Sequence, residues 1–246
     1  MTQQDMLALR TICHKNDLRV TDEQLNRLSA YVNMLLDWNR RINLVSRQDV
    51  ANVWTSHILH SISILFQFSF ADETRIVDLG TGGGLPGIPL AILLPKSDFL
   101  LVDATQKKIK AVDEMIRGLG LPNASAEWGR GDELSRQPRL TGSFDIVISR
   151  AMGSLKELVQ HGKEFLRRGA EKPGILVNAD VTFAPQRSID RRCLIAYKGG
   201  DVGREISAAA RNSEVEKIEE VPLMFKGSSE VGIFDKKIIL VQLKRK

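Results

Sequence analysis

The stretch VDLGTGGGLPGIP, residues 77–89, places five glycines and two prolines directly behind a short apolar run. Glycine supplies positive φ and a backbone that another molecule can touch, so this repetition points to a turn on which a ligand lies. The entry RIVDLG (75–80) reads as a strand, and Leu85-Pro86 suits the start of a helix whose free N–H groups face the same space. Strand, bare turn and helix form the opening unit of a parallel α/β sheet, where ligands bind beyond the carboxyl ends of the strands.

Working outward, the alternation continues. FLLVDA (99–104), the weaker ASAEW (124–128) and FDIVIS (144–149) read as further strands. The helices between and after them are expected over Pro86–Leu94, ended by Pro95, over Lys107–Arg117, ended by Gly118 and Gly120, and over Ser154–Leu166, ended by Gly169. Such alternation predicts a Rossmann-like α/β fold, a mostly parallel sheet with helices on both faces. Past residue 170, GILVNAD (174–180) and CLIAYKGG (193–200) compete for the fifth strand, and the second is favoured; KIEEVPLMF and IFDKKIILVQL supply two more. Upstream, residues 21–44 read as an amphipathic helix opened by a Thr21/Gln24 capping box, and 50–66 as a second helix. The polar ADET at 71–74 then separates an N-terminal helical extension, 1–70, from a sheet domain, 71–246.

Composition excludes several classes. No apolar run approaches the roughly 20 residues of a spanning helix, and MTQQDMLALR lacks the plan of a secretory signal, so a cytoplasmic protein with no membrane role is expected. Cys13 and Cys193 form no CxxC pair or Cys/His cluster, which argues against a disulfide framework and against zinc. His57 and His60 are three apart on one helix, but without a third ligand nearby they read as packing and hydrogen-bonding groups, and no metal is expected. The net charge of +5 concentrates in residues 187–246, with 13 basic against 9 acidic groups, which permits contact with an anionic polymer without requiring it.

Two registers of the glycine string compete. From Gly82 it fits the dinucleotide pattern GxGxxG; from Gly80 it reads Asp-Leu-Gly-Thr-Gly-Gly-Gly, the pattern of S-adenosylmethionine-dependent methyltransferases. The second agrees better with the strand end. Asp78 is awkward beside a pyrophosphate, yet suits the positively charged amino-acid portion of S-adenosylmethionine. Asp103, 23 residues after Gly80, ends the next strand where a carboxylate accepts ribose hydroxyls. Its competing role is a cap for the helix near Lys107. Gly131 and Asp132 lie in a polar turn after the third strand, placed to border an adenine, and Arg150 follows the fourth.

With these segments in view, the chain resembles the small-subunit ribosomal RNA guanine-N7 methyltransferases, also called glucose-inhibited division protein B. The likeness is carried by LLDWNRRINLVS (35–46), SHILHSI (56–62), DLGTGGGLPGIPLAI (78–92), LLVDATQKKIKAV (100–112), GRGDEL (129–134), FDIVISRAMGSLKEL (144–158) and YKGG (197–200). It implies a class I methyltransferase with a seven-stranded, mostly parallel sheet behind a helical extension, S-adenosylmethionine as cofactor and ribosomal RNA as partner. It carries cofactor contacts onto Gly80, Leu85, Gly131, Asp132 and Arg150; Asp78, Gly82 and Asp103 join them from the strand-end reading. Three departures stand out: His60 replaces an acidic residue, Gly131-Asp132 replaces Ala-Glu, and about twenty residues around 172–191 look inserted.

Guanine N7 already carries a lone pair, so no general base and no catalytic triad are expected, only alignment. Arg150 and Lys198 are the candidates for touching an RNA phosphate or the guanine O6, with Arg150 alternatively holding the methionine carboxylate. Trp38 and Asn39 are expected to pack and cap the helical region onto the sheet. A monomer is expected. The rivals are a small-molecule methyltransferase, a non-catalytic cofactor-binding module and an NAD-dependent oxidoreductase using the shifted register.

Overall fold

The computed structural model describes residues 2–150, 152–167, 173–177, 188–190 and 193–244. Capping boxes open the first two helices, Thr2 with Asp5 ahead of α1 (Gln3–Lys15) and Thr21 with Gln24 ahead of α2 (Asp22–Asn39). The α1 helix is absent from the sequence-based reading above. Helix α2 ends five residues earlier than expected, where the Asn39 Oδ1 accepts from the backbone N–H groups of Leu44 (2.8 Å) and Val45 (3.0 Å) and turns the chain. The helix expected over 50–66 is a succession of tight pieces: a 3₁₀ turn at Val50–Asn52, a π-turn at Trp54–Leu59, α3 (His60–Ile62) and a 3₁₀ turn at Ser63–Phe66.

The chain continues through β1 (Phe68–Phe70), β2 (Arg75–Leu79), α4 (Gly87–Leu93), β3 (Asp98–Asp103), α5 (Gln106–Gly118), β4 (Ala124–Trp128), α6 (Gly131–Leu134), β5 (Ile146–Arg150) and α7 (Leu155–Gly162). After these come β6 (Pro173–Val177), β7 (Ser188–Asp190), β8 (Cys193–Gly199), α8 (Gly203–Ala210), β9 (Val215–Pro222) and β10 (Lys236–Leu243). Seven strands form one sheet in the order β4-β3-β2-β5-β8-β10-β9. Pairing is parallel from β4 to β8 and antiparallel at β8–β10 and β10–β9. CLIAYKGG is therefore the fifth strand, as favoured. GILVNAD instead contributes β6, which pairs with β1 and β7 in a separate three-stranded sheet; its residues 178–180, and most of the apparent insertion, lie outside the described residues.

Burial explains the topology. In β2 and β3 every residue after the first or second is buried, as in strands covered on both faces, whereas the edge strand β9 keeps solvent access along its length. Alternate residues divide between two cores. Ile76, Ile146, Ile148 and Ile195 face the helical extension, α4 and α5, joining Leu28, Tyr31, Leu35 and Ile58. Val77, Leu79, Val147 and Leu194 face α7 and α8. Each such aliphatic side chain contributes about 1.5–3 kcal/mol on burial. Because Asp78, Arg150 and Tyr197 share the parity of the first set, their side chains emerge on the face covered by the extension.

Candidate active site

The glycine turn is built by hydrogen bonds from β3. The N–H groups of Gly80 and Thr81 both donate to the Val102 carbonyl, at 2.9 and 3.0 Å, and Gly82 N–H donates to Asp103 Oδ2 at 3.0 Å. Gly80 and Gly82 sit at φ +71° and +60°, where a side chain is strained. Their surroundings differ. A Cβ at Gly80 would lie 3.3 Å from that of Met152, while one at Gly82 would meet nothing within 4 Å. The open cradle is thus at Gly82, and Gly80 is bare because Met152 packs on it. Leu85 turns into the core, and its N–H is taken by the Thr81 carbonyl.

Asp78 ends up fully buried beside this turn. Its Oδ2 accepts from Thr81 Oγ1 (2.7 Å) and from Gly87 N–H (2.9 Å), an approach a Cβ at Gly87 would block, 2.7 Å from that oxygen. The other oxygen, Oδ1, is buried with no partner among the described residues. Burial pushes the Asp78 carboxyl up to about 6, against the opposing pull of its hydrogen bonds to Thr81 and Gly87 and of the Arg150 charge. Asp103, at the same rim, accepts from Gly82 N–H and Thr105 N–H, one on each oxygen. It does not cap α5, whose N-cap is Thr105; it ties the glycine turn to the end of β3. Gly129 N–H donates to the Asp103 carbonyl, and Gly131 stands against Leu79, so the turn after β4 joins the same rim. The Asp132 side chain pairs with Arg130, and Gly131 and Asp132 form the first turn of α6.

Arg150 projects from the end of β5 toward the extension. Its Nη2 lies 2.9 Å from His57 Nδ1, and Nη1 donates to the His57 carbonyl at 3.3 Å. No carboxylate among the described residues comes within ion-pairing distance, although the charges of Asp78 and Asp49 reach it. A partly buried guanidinium with no carboxylate partner among the described residues, in the field of a buried carboxylate with an orphaned oxygen, leaves both charges to be completed by a ligand. Both fit a zwitterion. Lys198 is differently engaged: its ammonium lies 2.8 Å from Glu205 and donates to the Gly153 carbonyl at 2.7 Å, holding the turn before α7. Among the described residues no group of three or more His, Cys, Asp or Glu could hold a metal ion, and no helix is long and apolar enough to cross a membrane.

Residues 24–172 match the family model described as rRNA small subunit methyltransferase G. Proteins of that name from Chlorobium phaeobacteroides (36% identical, over 96% of this chain and 95% of the relative) and Chlorobaculum tepidum (38%, 86% and 85%) align along most of the chain. The chain belongs to the ribosomal RNA small subunit methyltransferase G family. Its fold is shared with solved structures of a SAM-dependent O-methyltransferase from Thermotoga maritima (12% identity, 88% of this chain and 72% of that one, TM-score 0.50) and the CurJ carbon methyltransferase (12%, 99% and 71%, TM-score 0.51). These establish the seven-stranded methyltransferase architecture expected from the sequence.

Within this member of the ribosomal RNA small subunit methyltransferase G family, sequence reasoning missed Thr81 and Tyr31 at the site and read His57 only as a packing and hydrogen-bonding group, without its partner. Thr81 fixes Asp78, Tyr31 reaches from α2 to donate to the Gly83 carbonyl at 2.9 Å, and His57 meets Arg150. Thr81 lay inside the quoted glycine string and Tyr31 on the core stripe of α2, but their contacts are tertiary. Trp38 and Asn39 do pack and cap as expected, with Trp38 against the core under Arg41 and Asn39 closing the turn whose Leu44 covers Gly83.

Proposed function

We infer that this chain is an S-adenosylmethionine-dependent methyltransferase acting on N7 of a guanine in small-subunit ribosomal RNA, working in the cytoplasm as a monomer. One observation carries the cofactor assignment: the unsatisfied Oδ1 of Asp78, beside the bare glycine turn, lies in the field of the Arg150 guanidinium, which has no carboxylate partner among the described residues. An amino-acid moiety bearing both ammonium and carboxylate answers the two at once. In this reading Asp103 receives the ribose hydroxyls, the backbone of Gly80, Gly82 and Leu85 underlies the ligand, and Gly131 and Asp132 border the adenine.

When bound, the cofactor supplies an electrophilic methyl on a sulfonium. The chain's part is orientation and exclusion of water. Guanine N7 attacks through an existing lone pair, so no side chain need remove a proton from it. The Arg150 charge, engaged by His57 and only partly exposed, is better assigned to the cofactor carboxylate than to an RNA phosphate. Lys198, held by Glu205, supports the 152–155 turn, and phosphate contact by its ammonium requires that pair to open. Because N7 lies in a deep groove of A-form RNA, the target guanine belongs in a loop, bulge or splayed position.

Transfer of labelled methyl from S-adenosylmethionine to small-subunit RNA, free and as assembled particles, tests this. Expected are incorporation into RNA and not into small acceptors, 7-methylguanine on digestion, and calorimetric binding of S-adenosylmethionine but not NAD. Cofactor binding without transfer to any RNA would leave the non-catalytic module standing instead.

A further inference from the structure

We propose that His57, on the segment that precedes the sheet, is the positioning residue that aims Arg150 at the cofactor carboxylate, so that the helical extension completes the cofactor site. The inference rests on the assignment of that carboxylate to Arg150 made above.

Arg150 grips one residue at two points, the His57 ring nitrogen Nδ1 at 2.9 Å and the His57 carbonyl at 3.3 Å. A guanidinium only donates, so Nδ1 is the acceptor and the ring proton sits on Nε2. That nitrogen is buried without a hydrogen-bond partner among the described residues, with Asp49 Oδ2 3.5 Å away, and Asp49 is itself held by Ser46 Oγ at 2.6 Å. The Arg150 contact thus sets the tautomer, the nearby Asp49 charge favours the proton on Nε2, and the ring in turn holds the guanidinium. Burial, the Arg150 charge and then the weaker opposing effect of Asp49 leave the His57 imidazole near 4, so it stays an acceptor at neutral pH. Within the π-turn at Trp54–Leu59 the His57 carbonyl accepts from Arg150 and from Ser61 Oγ as well as from the His60 N–H. Tyr197 Oη, donating to the Ser61 carbonyl at 2.6 Å, pins this segment to the strand beside Arg150. Five guanidinium N–H groups minus those spent on His57 leave donors for a carboxylate.

Calorimetric affinities of the full chain for S-adenosylhomocysteine and for 5′-methylthioadenosine, which lacks the amino-acid end, separate aiming from mere folding. His57→Phe is expected to weaken S-adenosylhomocysteine by about tenfold or more, the scale of one hydrogen bond to a charged group, and to leave methylthioadenosine unchanged. His57→Gln, whose amide can accept from Arg150 and donate toward Asp49, should recover most of the loss. In an Arg150→Ala background, His57→Phe should add nothing. Unchanged binding of S-adenosylhomocysteine by His57→Phe, equal loss of both ligands, or additive losses in the double variant would overturn the proposal. If the phenylalanine variant does not fold, nitrogen-15 shifts of the unmutated chain decide: a proton on Nε2 of His57 in the complex is expected, and one on Nδ1 overturns it. The underlying assignment fails separately, by Arg150→Ala binding S-adenosylhomocysteine as tightly as the parent.

Discussion

Gly82 and Asp78 are the two residues on which the cofactor site turns, and each makes a prediction. At Gly82 the backbone has φ +60° and the Cβ direction is empty, so Gly82→Ala costs about 1–2 kcal/mol of stability through strain alone. It also puts a methyl into the space assigned to the ligand. S-adenosylmethionine affinity should therefore fall further than the shift in thermal midpoint accounts for, measured by calorimetry beside calorimetric melting. Asp78, with its carboxyl near 6, titrates where binding can be followed. Its folded value exceeds the unfolded one, so burying its charge costs stability above about pH 6, and that cost is relieved as pH falls toward 4. Binding a cationic ligand reverses the preference: affinity should drop about tenfold from pH 7 to pH 5, with proton release near pH 6, and Asp78→Asn should show neither effect. The acid at 78, the bare turn and Asp103 were legible in the sequence because strand ends and glycines are local signals. That Met152 covers Gly80 while Gly82 is open, and that the Arg150 charge reaches Asp78, depends on residues more than 70 positions apart and could not be read locally.

Among elements, the turn after α2 carries the clearest test. Asn39→Ala leaves the N–H groups of Leu44 and Val45 without their acceptor, a loss of about 1–3 kcal/mol. Because Leu44 packs over Gly83, the same change should weaken cofactor binding, whereas a cap remote from the turn, Thr2→Ala, should cost stability near 1 kcal/mol and leave binding alone. Urea unfolding and calorimetry of both variants separate the two. The parallel strands were readable from their apolar runs. The 50–66 segment shows the limit of pattern: its apolar spacing suggested one helix, and the chain instead changes winding through it, bringing His57 to a strand 93 residues away. Helices α1 and α8 and strand β1 lacked a strong enough local pattern and follow from what they pack against, as with Leu9, Ile12 and Cys13 in the shared core.

For the whole molecule, the boundary proposed at residue 70 divides a chain whose largest core runs across it, from Leu9 and Leu28 to Ile148 and Ile238. The two cysteines report on that. Cys13 lies in α1 and Cys193 in β8, both buried, and burial pushes the Cys13 thiol up to about 12. Native protein should resist alkylation at both. Under mild denaturant both should react at one rate, set by cooperative unfolding, because the extension has no separate core to open from; mass spectrometry reading earlier modification at Cys13 would show the extension detaching by itself. The sheet order adds a consequence for biosynthesis. Strand β10 lies between β8 and β9, so β9, made first, has nothing in the sheet to pair with until residues 236–243 clear the ribosomal exit tunnel. Until then the nascent chain shows a bare β8 edge while the strands bearing Asp78, Asp103 and Arg150 are already outside. Chaperone engagement should accordingly peak while β8 is outside and residues 236–243 are not, and fall once they have emerged.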